Sequence, residues 1–394
     1  MKDKIWTKNF ISVALINFLA VLMFYLLIVT IGSYTIKTYD ASTSMAGLVS
    51  SIYVIGALVG RLMTGRLIEK IGPSKILIIG VIGFFITSCL YFIEIHIAFL
   101  LIVRFIQGVF VGIIGSAAGT IVAYILPANR KGEGIGYYSL SAILATAIGP
   151  FIGLLLMKFE HGNTLIFGFN VFLSLCMIVM LAFVKIEITI ASKKNEQEIE
   201  GKQSFISKVM EPKSIPISFV ALLIGFAYSG VMSYISPYAE EIDLVTAASV
   251  FFIVYAFATI VTRPITGKLM DKKGPNIIVY PALVIFALGM YLFSTAHSSF
   301  VLLLAAALIG LGFGNFNSIA QTIAVKVTEP HRFGFATSTY YIFYDLGLGF
   351  GPYLLGILVP LLGFQTMFMW MVPVIIICIP LYFVLHGRKA KQYI

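Results

Sequence analysis

Twelve apolar runs follow one another along this 394-residue chain, and they constrain its fold more than any other feature. A hydrocarbon core about 30 Å thick is crossed by roughly 20 apolar residues in helical form. The runs fall at 9–31, 46–65, 76–93, 98–126, 135–157, 164–185, 216–238, 248–266, 277–294, 300–325, 335–359 and 365–385. Hydrophobic residues make up 59% of the chain and charged residues 11%. The charged share is about 25% in an average soluble domain. Nothing of this size hides that much apolar surface from water. The composition excludes a soluble enzyme, a disordered chain and a secreted disulfide scaffold. It predicts an all-α membrane protein with twelve transmembrane helices.

The basic residues fix an orientation. With the N-terminus inside, cytoplasmic segments hold 22 of the 27 Lys and Arg residues, and only Lys37 and Lys158 fall outside. Arg61, Arg104 and Arg263 lie within or at the ends of helices, and the external loops carry Asp40, Glu94, Glu160, Glu240, Glu241 and Asp243. That asymmetry obeys the positive-inside rule and places both termini in the cytoplasm. It also accounts for the net charge of +10 without nucleic acid. The apolar stretch from Phe10 to Ile31 is too long for a signal-peptide core, so it reads as the first span. Cys89, Cys176 and Cys378 sit in apolar runs as buried thiols. The five histidines, His96, His161, His297, His331 and His386, fall in loops or tails without metal-ligand spacing and read as solvent-facing.

Self-similarity gives the organisation. Residues 61–73 read RLMTGRLIEKIGP and residues 263–275 read RPITGKLMDKKGP, identical at seven of thirteen positions at an offset of 202. The same offset carries Gly149-Pro150 onto Gly351-Pro352 and Gly108 onto Gly310. The chain therefore reads as two parallel six-helix repeats, 1–185 and 216–394, joined by a hydrophilic cytoplasmic linker over 186–215. Glu196 to Glu200 form either a short surface helix or part of a plain solvated linker. Parallel repeats of this kind place a substrate site near the bilayer midplane, between the halves.

Three local patterns carry chemistry. After the second span comes Gly65-Arg66-Leu67-Ile68-Glu69-Lys70-Ile71-Gly72-Pro73-Ser74-Lys75, and its second copy keeps Gly267, Asp271, Lys272 and Gly274. The fourth span contains Arg104-Phe105-Ile106-Gln107-Gly108. The fifth contains Gly136, then Ala145, Gly149, Pro150 and Gly153 at helical spacing. These residues resemble the major facilitator superfamily over essentially the whole chain. The first pattern is similar to the family's loop G-x-L-x-D-R-x-G-R-K, with Glu69 for Asp, Lys70 for Arg and Pro73 interrupting the basic end. The second resembles R-x-x-Q-G. The third resembles a motif of the drug/proton antiporter branch, with Ala145 and Leu154 in place of two glycines.

The resemblance implies two pseudo-symmetric six-helix halves, a monomer in the plasma membrane of a bacterium, and no cofactor or metal. It implies that Glu69 faces the start of the eleventh helix and Asp271 the start of the fifth, latching the cytoplasmic side shut. An acid there would meet the positive end of a helix. The alternative is a tight positive-inside loop with no gating role. Arg104 is either a cavity cation that acts on a carboxylate or substrate, or an arginine snorkelling to the outer interface. Gly136, Gly149, Pro150 and Gly153 are either an antiporter-type hinge or ordinary close packing.

Asp345 stands about ten residues into the eleventh span, roughly 15 Å deep. A carboxyl group at that depth can exchange a proton as its surroundings change. It is either a coupling group or a structural acid paired with a tyrosine or a helix end. Asn17, Tyr25, Tyr228, Ser229, Asn315, Asn317, Gln321, Tyr340, Tyr341 and Tyr344 are further polar candidates for a cavity lining. Aromatics with few charges suit a hydrophobic or cationic substrate. An exporter of anions would want cavity Arg or Lys, and Arg104 is the obvious one.

No phosphate-binding loop is present, since Gly60-x4-Gly65 is followed by Arg66-Leu67. One midplane acid with no helical histidine argues against a membrane enzyme. The expectation is a secondary transporter, proton-coupled, that exports a small amphipathic or drug-like molecule by alternating access. The alternative is the same fold moving a sugar, an amino acid or a siderophore-like metabolite in either direction.

Overall fold

The computed structural model describes residues 4–41, 43–157, 159–184 and 209–389. Its helices are α1 (Lys8–Tyr39), α2 (Thr43–Ile71), α3 (Pro73–Cys89), α4 (Ile97–Ile125), α5 (Lys131–Leu156), α6 (Gly162–Leu181), α7 (Ile215–Glu241), α8 (Val245–Lys273), α9 (Asn276–Ser294), α10 (Ser299–Ile309), α11 (Asn315–Lys326) and α12 (Phe333–Leu385). The expected helix over Glu196–Glu200 lies outside the described residues.

Two elements differ from one helix per apolar run. A π-helical turn at Gly310–Gly314 joins α10 to α11, so these three together fill the tenth run. The eleventh and twelfth runs share α12, whose 53 residues are broken at Gly363, with φ 74 and ψ 165. A straight helix of that length would extend about 80 Å, far more than one bilayer. α12 therefore supplies two crossings, and the chain crosses twelve times.

The helix ends follow local chemistry. Thr7 caps α1 by accepting the Phe10 N–H at 3.2 Å. α2 and α8 end at glycines in the left-handed half of backbone space, Gly72 (φ 85) and Gly274 (φ 82), each followed by a proline that starts the next turn. This corrects the expected ends at 65 and 266. α2 continues to Ile71 and α8 to Lys273, so Gly65, Glu69 and Lys70, like Gly267, Asp271 and Lys272, are helical rather than in loops. Loss of hydropathy marks the membrane edge, but Arg, Lys and Glu are good helix formers and nothing breaks the helix before the glycine. The side chains facing outward are themselves apolar, Phe151, Phe257, Tyr353 and Leu361 among them, each more than 60% exposed. Such a surface suits lipid rather than water.

The helices group into two compact units. The first comprises Met1–Ile125, Ser141–Glu211 and Glu329–Ser338; the second comprises Leu126–Leu140, Pro212–Thr328 and Thr339–Ile394. The start of α5 thus belongs with the second unit and the start of α12 with the first.

Each unit holds closely packed helices. In the first, a Cβ on Gly56 would collide with the Phe105 carbonyl, on Gly60 with the Val109 carbonyl, on Gly108 with the Tyr53 carbonyl, and on Gly112 with the Ala57 carbonyl. α2 and α4 therefore meet backbone to backbone, which small residues alone permit. In the second unit, Gly310 and Gly314 occupy the positions 202 residues on from Gly108 and Gly112, but Gly56 and Gly60 become Ala258 and Thr262, and Ala57 becomes Thr259. The π turn opens at this place, and the Thr259 hydroxyl lies 2.9 Å from the Gly310 carbonyl oxygen. π turns inside α-helices concentrate at functional positions.

Candidate functional site

The repeated acidic motif forms two different contacts. In the second unit the Asp271 carboxylate accepts the backbone N–H groups of Gly132 and Glu133, both at 2.9 Å, and pairs with Lys326 Nζ at 3.0 Å. These are the first amides of α5, which have no partner within their own helix, and the helix dipole adds to the attraction. Gly267 and Gly132 make the approach possible, since a Cβ on either would press on the other strand of backbone. Glu133, itself buried, pairs with Arg130 at 2.7 Å and Lys268 at 3.7 Å.

In the first unit Glu69 lies 3.9 Å from Arg332, just before α12. Arg332 also donates to the buried carboxylate of Glu211 and to the Met210 carbonyl, and lies 4.6 Å from the Phe335 ring. Phe335 packs on Gly65, and Ile68 packs on Gly334. Gly72 forms the turn after α2, while Lys70 and Lys272 close the last turns of α2 and α8.

Arg104 is fully buried in α4. Its Nε–H donates to the Val49 carbonyl at 3.2 Å, Nη1 donates to the Tyr91 hydroxyl at 3.3 Å, and the guanidinium lies 4.5 Å from the Tyr53 ring centre. Gln107 accepts from the Tyr91 hydroxyl at 2.6 Å and donates to Ser88 at 3.2 Å. These residues are one polar network within the first unit, tying α2, α3 and α4. The snorkelling alternative does not describe this arginine, because its polar partners are protein groups and its exposure is nil.

Asn17 donates to Ser141 at 2.9 Å, joining α1 to α5. Further along α5, Gly149 fits beneath Leu22 and Tyr25 and Gly153 beneath Leu26 and Thr30, with Pro150 between them inside the helix. Gly136, in the part of α5 belonging to the second unit, has only the Arg263 carbonyl near its open face, 3.9 Å from where a Cβ would stand.

The second unit carries a polar face on α11 opposite tyrosines of α12. Gln321 donates to Tyr341 at 3.1 Å, Asn317 donates to Tyr344 at 3.2 Å, and the Tyr340 hydroxyl donates to Asn317. Asp345 follows Tyr341 by one helical turn and is half-buried; it is the only acid in the 53 residues of α12. Tyr228 of α7 stacks on Phe313 of the π turn at 3.9 Å and lies 5.7 Å from Tyr255. Asn315 is held on both sides, donating to Thr262 and Leu311 and accepting from Thr266. These bonds tie α8 to α11.

Two placements were not legible beforehand. Arg263 is fully buried in α8, although the sequence reading put it only within or at the end of a helix. The signal available was its alignment with Arg61 inside the repeat, well before the charged end of the motif. His386, read as solvent-facing, is buried beside Tyr382 just past the end of α12. A C-terminal position says nothing about packing when α12 continues that far.

Known proteins resemble this chain along most of its length. A family model described as the Major Facilitator Superfamily matches residues 13–296 and 244–393. The chain is 26% identical over 372 residues to an uncharacterized MFS-type transporter of Methanocaldococcus jannaschii, covering 92% of each chain. It is 25% identical over 368 residues to Multidrug resistance protein 2 of Bacillus subtilis, covering 91% of each. Among solved structures, the human organic anion transporter MFSD10 (TETRAN) matches with a TM-score of 0.75 at 14% identity, over 95% of this chain and 98% of that one. At that identity the likeness speaks for the fold alone.

Proposed function

The chain belongs to the major facilitator superfamily, and from that premise we propose that it exports small amphipathic, drug-like molecules in exchange for protons, by alternating access in the cell membrane. Membership makes it an integral membrane transporter with the twelve-helix fold. The relation to a multidrug resistance protein across 91% of both chains supports the cargo class. The observation that carries the coupling is Asp345, the one acid of a membrane-spanning helix, next to Tyr344 and one turn on from Tyr341, which bond Asn317 and Gln321.

Protonation of Asp345 from outside would favour one conformation, and its deprotonation to the cytoplasm the other. Exchange requires that proton and substrate prefer different conformations, since equal affinity shifts nothing. Asp271 on the first turn of α5, and Glu69 with Arg332, would hold the cytoplasmic side closed in one of these states. Gly149 and Gly153 let α5 slide closely against α1. The termini would face the cytoplasm, and one chain would suffice.

The test is flux of a fluorescent amphipathic dye in proteoliposomes with and without an imposed pH gradient. Accumulation that depends on the gradient and collapses with a protonophore is expected. Dye movement indifferent to the gradient would reject proton exchange.

A further inference from the structure

Arg263 is 1% exposed, and its guanidinium has only neutral partners. Nη1 donates to the Ser318 hydroxyl and Nη2 donates to the Gly314 carbonyl at 2.6 Å, while Nε has no hydrogen-bond partner among the described residues. No carboxylate pairs with it there. Burying a cation without an opposite charge is unfavourable, and proteins seldom do it unless a ligand or an ion completes the site. Arg104, also fully buried, likewise has neutral partners and a buried Nη2 without a hydrogen bond among the described residues, but an aromatic ring lies 4.5 Å from its guanidinium.

The surroundings favour an anion. The Ser318 hydroxyl bonds Nη1, and the phenols Tyr255, Tyr340 and Tyr344 stand near the guanidinium. The partnerless Nε and the adjacent Nη2 form the side-on edge of the guanidinium, the edge that binds a carboxylate through two parallel hydrogen bonds. A carboxylate arriving there would satisfy Nε and compete with Gly314 for Nη2. Gly314 closes the π turn, so the ligand would loosen the contact that α8 makes with it.

We propose that Arg263 is an anion-binding residue and that the transported molecule is an amphipath bearing a carboxylate or an equivalent singly charged acid. This rests on the export reading above and gives its substrate a charge. It also differs from what the aromatic composition alone suggested, a hydrophobic or cationic cargo.

Three probes with one naphthyl body separate the possibilities: naphthylacetate, its methyl ester, and a naphthylmethyl-trimethylammonium cation. Binding is measured by equilibrium dialysis on the purified full-length protein in detergent, and gradient-driven flux in proteoliposomes. Wild type is expected to bind the acid about tenfold or more tightly than the ester. Arg263→Gln should reduce acid binding to the level of the ester and leave ester binding unchanged. Arg263→Lys keeps the charge without the fork and should fall between, which keeps the test decisive if the glutamine variant fails to fold. Equal binding of acid and ester by wild type overturns the proposal, as does an acid preference that survives Arg263→Gln. Flux of the cation without binding of the acid rejects the anion site and leaves export standing. Acid preference with no gradient-driven flux of any probe rejects export and leaves the site standing.

Discussion

The Asp271 carboxylate accepts the Gly132 N–H at the start of α5, 139 residues away in sequence, at 2.9 Å. The same carboxylate takes the next amide and a lysine, so three donors converge on one acid. Hydrogen bonds to a charged group contribute about 1.5–3 kcal/mol each. Losing even one shifts a two-state equilibrium by roughly tenfold or more. Asp271→Ala is expected to slow dye export by at least that factor. Asp271→Asn, which keeps an acceptor but not the charge, should slow it less. Rates in everted vesicles, normalised to protein content, check both.

The acidic position in the first repeat should behave differently. Glu69 is about one-third exposed and 3.9 Å from Arg332, whereas Glu211 is buried against the same arginine. An exposed pair contributes about 0–1 kcal/mol, while breaking a buried one costs about 3–5 kcal/mol. Arg332→Ala should therefore lower the melting temperature in detergent clearly, and Glu69→Gln hardly at all. Equal melting shifts for the two would contradict the reading of Glu211 as the main partner.

Backbone contact between α2 and α4 makes a steric prediction. A Cβ on Gly108 meets the Tyr53 carbonyl oxygen, whereas a Cβ on Gly115, in the same helix, meets nothing within 4 Å. Overpacking costs about 1–3 kcal/mol. Gly108→Ala should reduce the melting temperature and the yield of folded protein, and Gly115→Ala should leave both unchanged.

Arg104 ties Val49 and Tyr91 to α4 and lies over Tyr53. Replacing it leaves a buried carbonyl and a hydroxyl without their donor, at about 1–3 kcal/mol per group. Arg104→Met is expected to destabilise the protein more than it changes the apparent KM of the fraction that folds. Arg104→Lys should recover little, because an ammonium cannot span the carbonyl and the hydroxyl as the guanidinium does. Thermal melts beside transport kinetics distinguish this from a direct substrate role.

Periodicity and hydropathy made the twelve crossings legible, because each is long, apolar and bounded. The repeat at offset 202 likewise pairs α2 with α8. What hydropathy cannot register is a helix that outlasts the membrane, so Glu69 and Asp271 read as loop residues although both are helical. Nor can it register a change of ladder within one apolar run, such as the π turn at Gly310–Gly314, whose first carbonyl accepts the Thr259 hydroxyl of the neighbouring helix. The helix-to-helix bonds of Asn315 and Asn17 were not legible either, because a polar residue in a span has the same spelling whether it clamps two helices or faces a ligand. Arg263 reads like the other charges of its motif, because spelling alone does not separate its buried beginning from its charged end.

Asp345 bears the central claim, and one substitution tests it most directly. Inverted membrane vesicles containing Asp345→Asn are given an imposed pH gradient and a fluorescent amphipathic substrate. The account predicts that gradient-driven uptake falls to the level of vesicles without the protein, while exchange of internal for external substrate persists. Gradient-driven uptake by Asp345→Asn at the wild-type rate would contradict it.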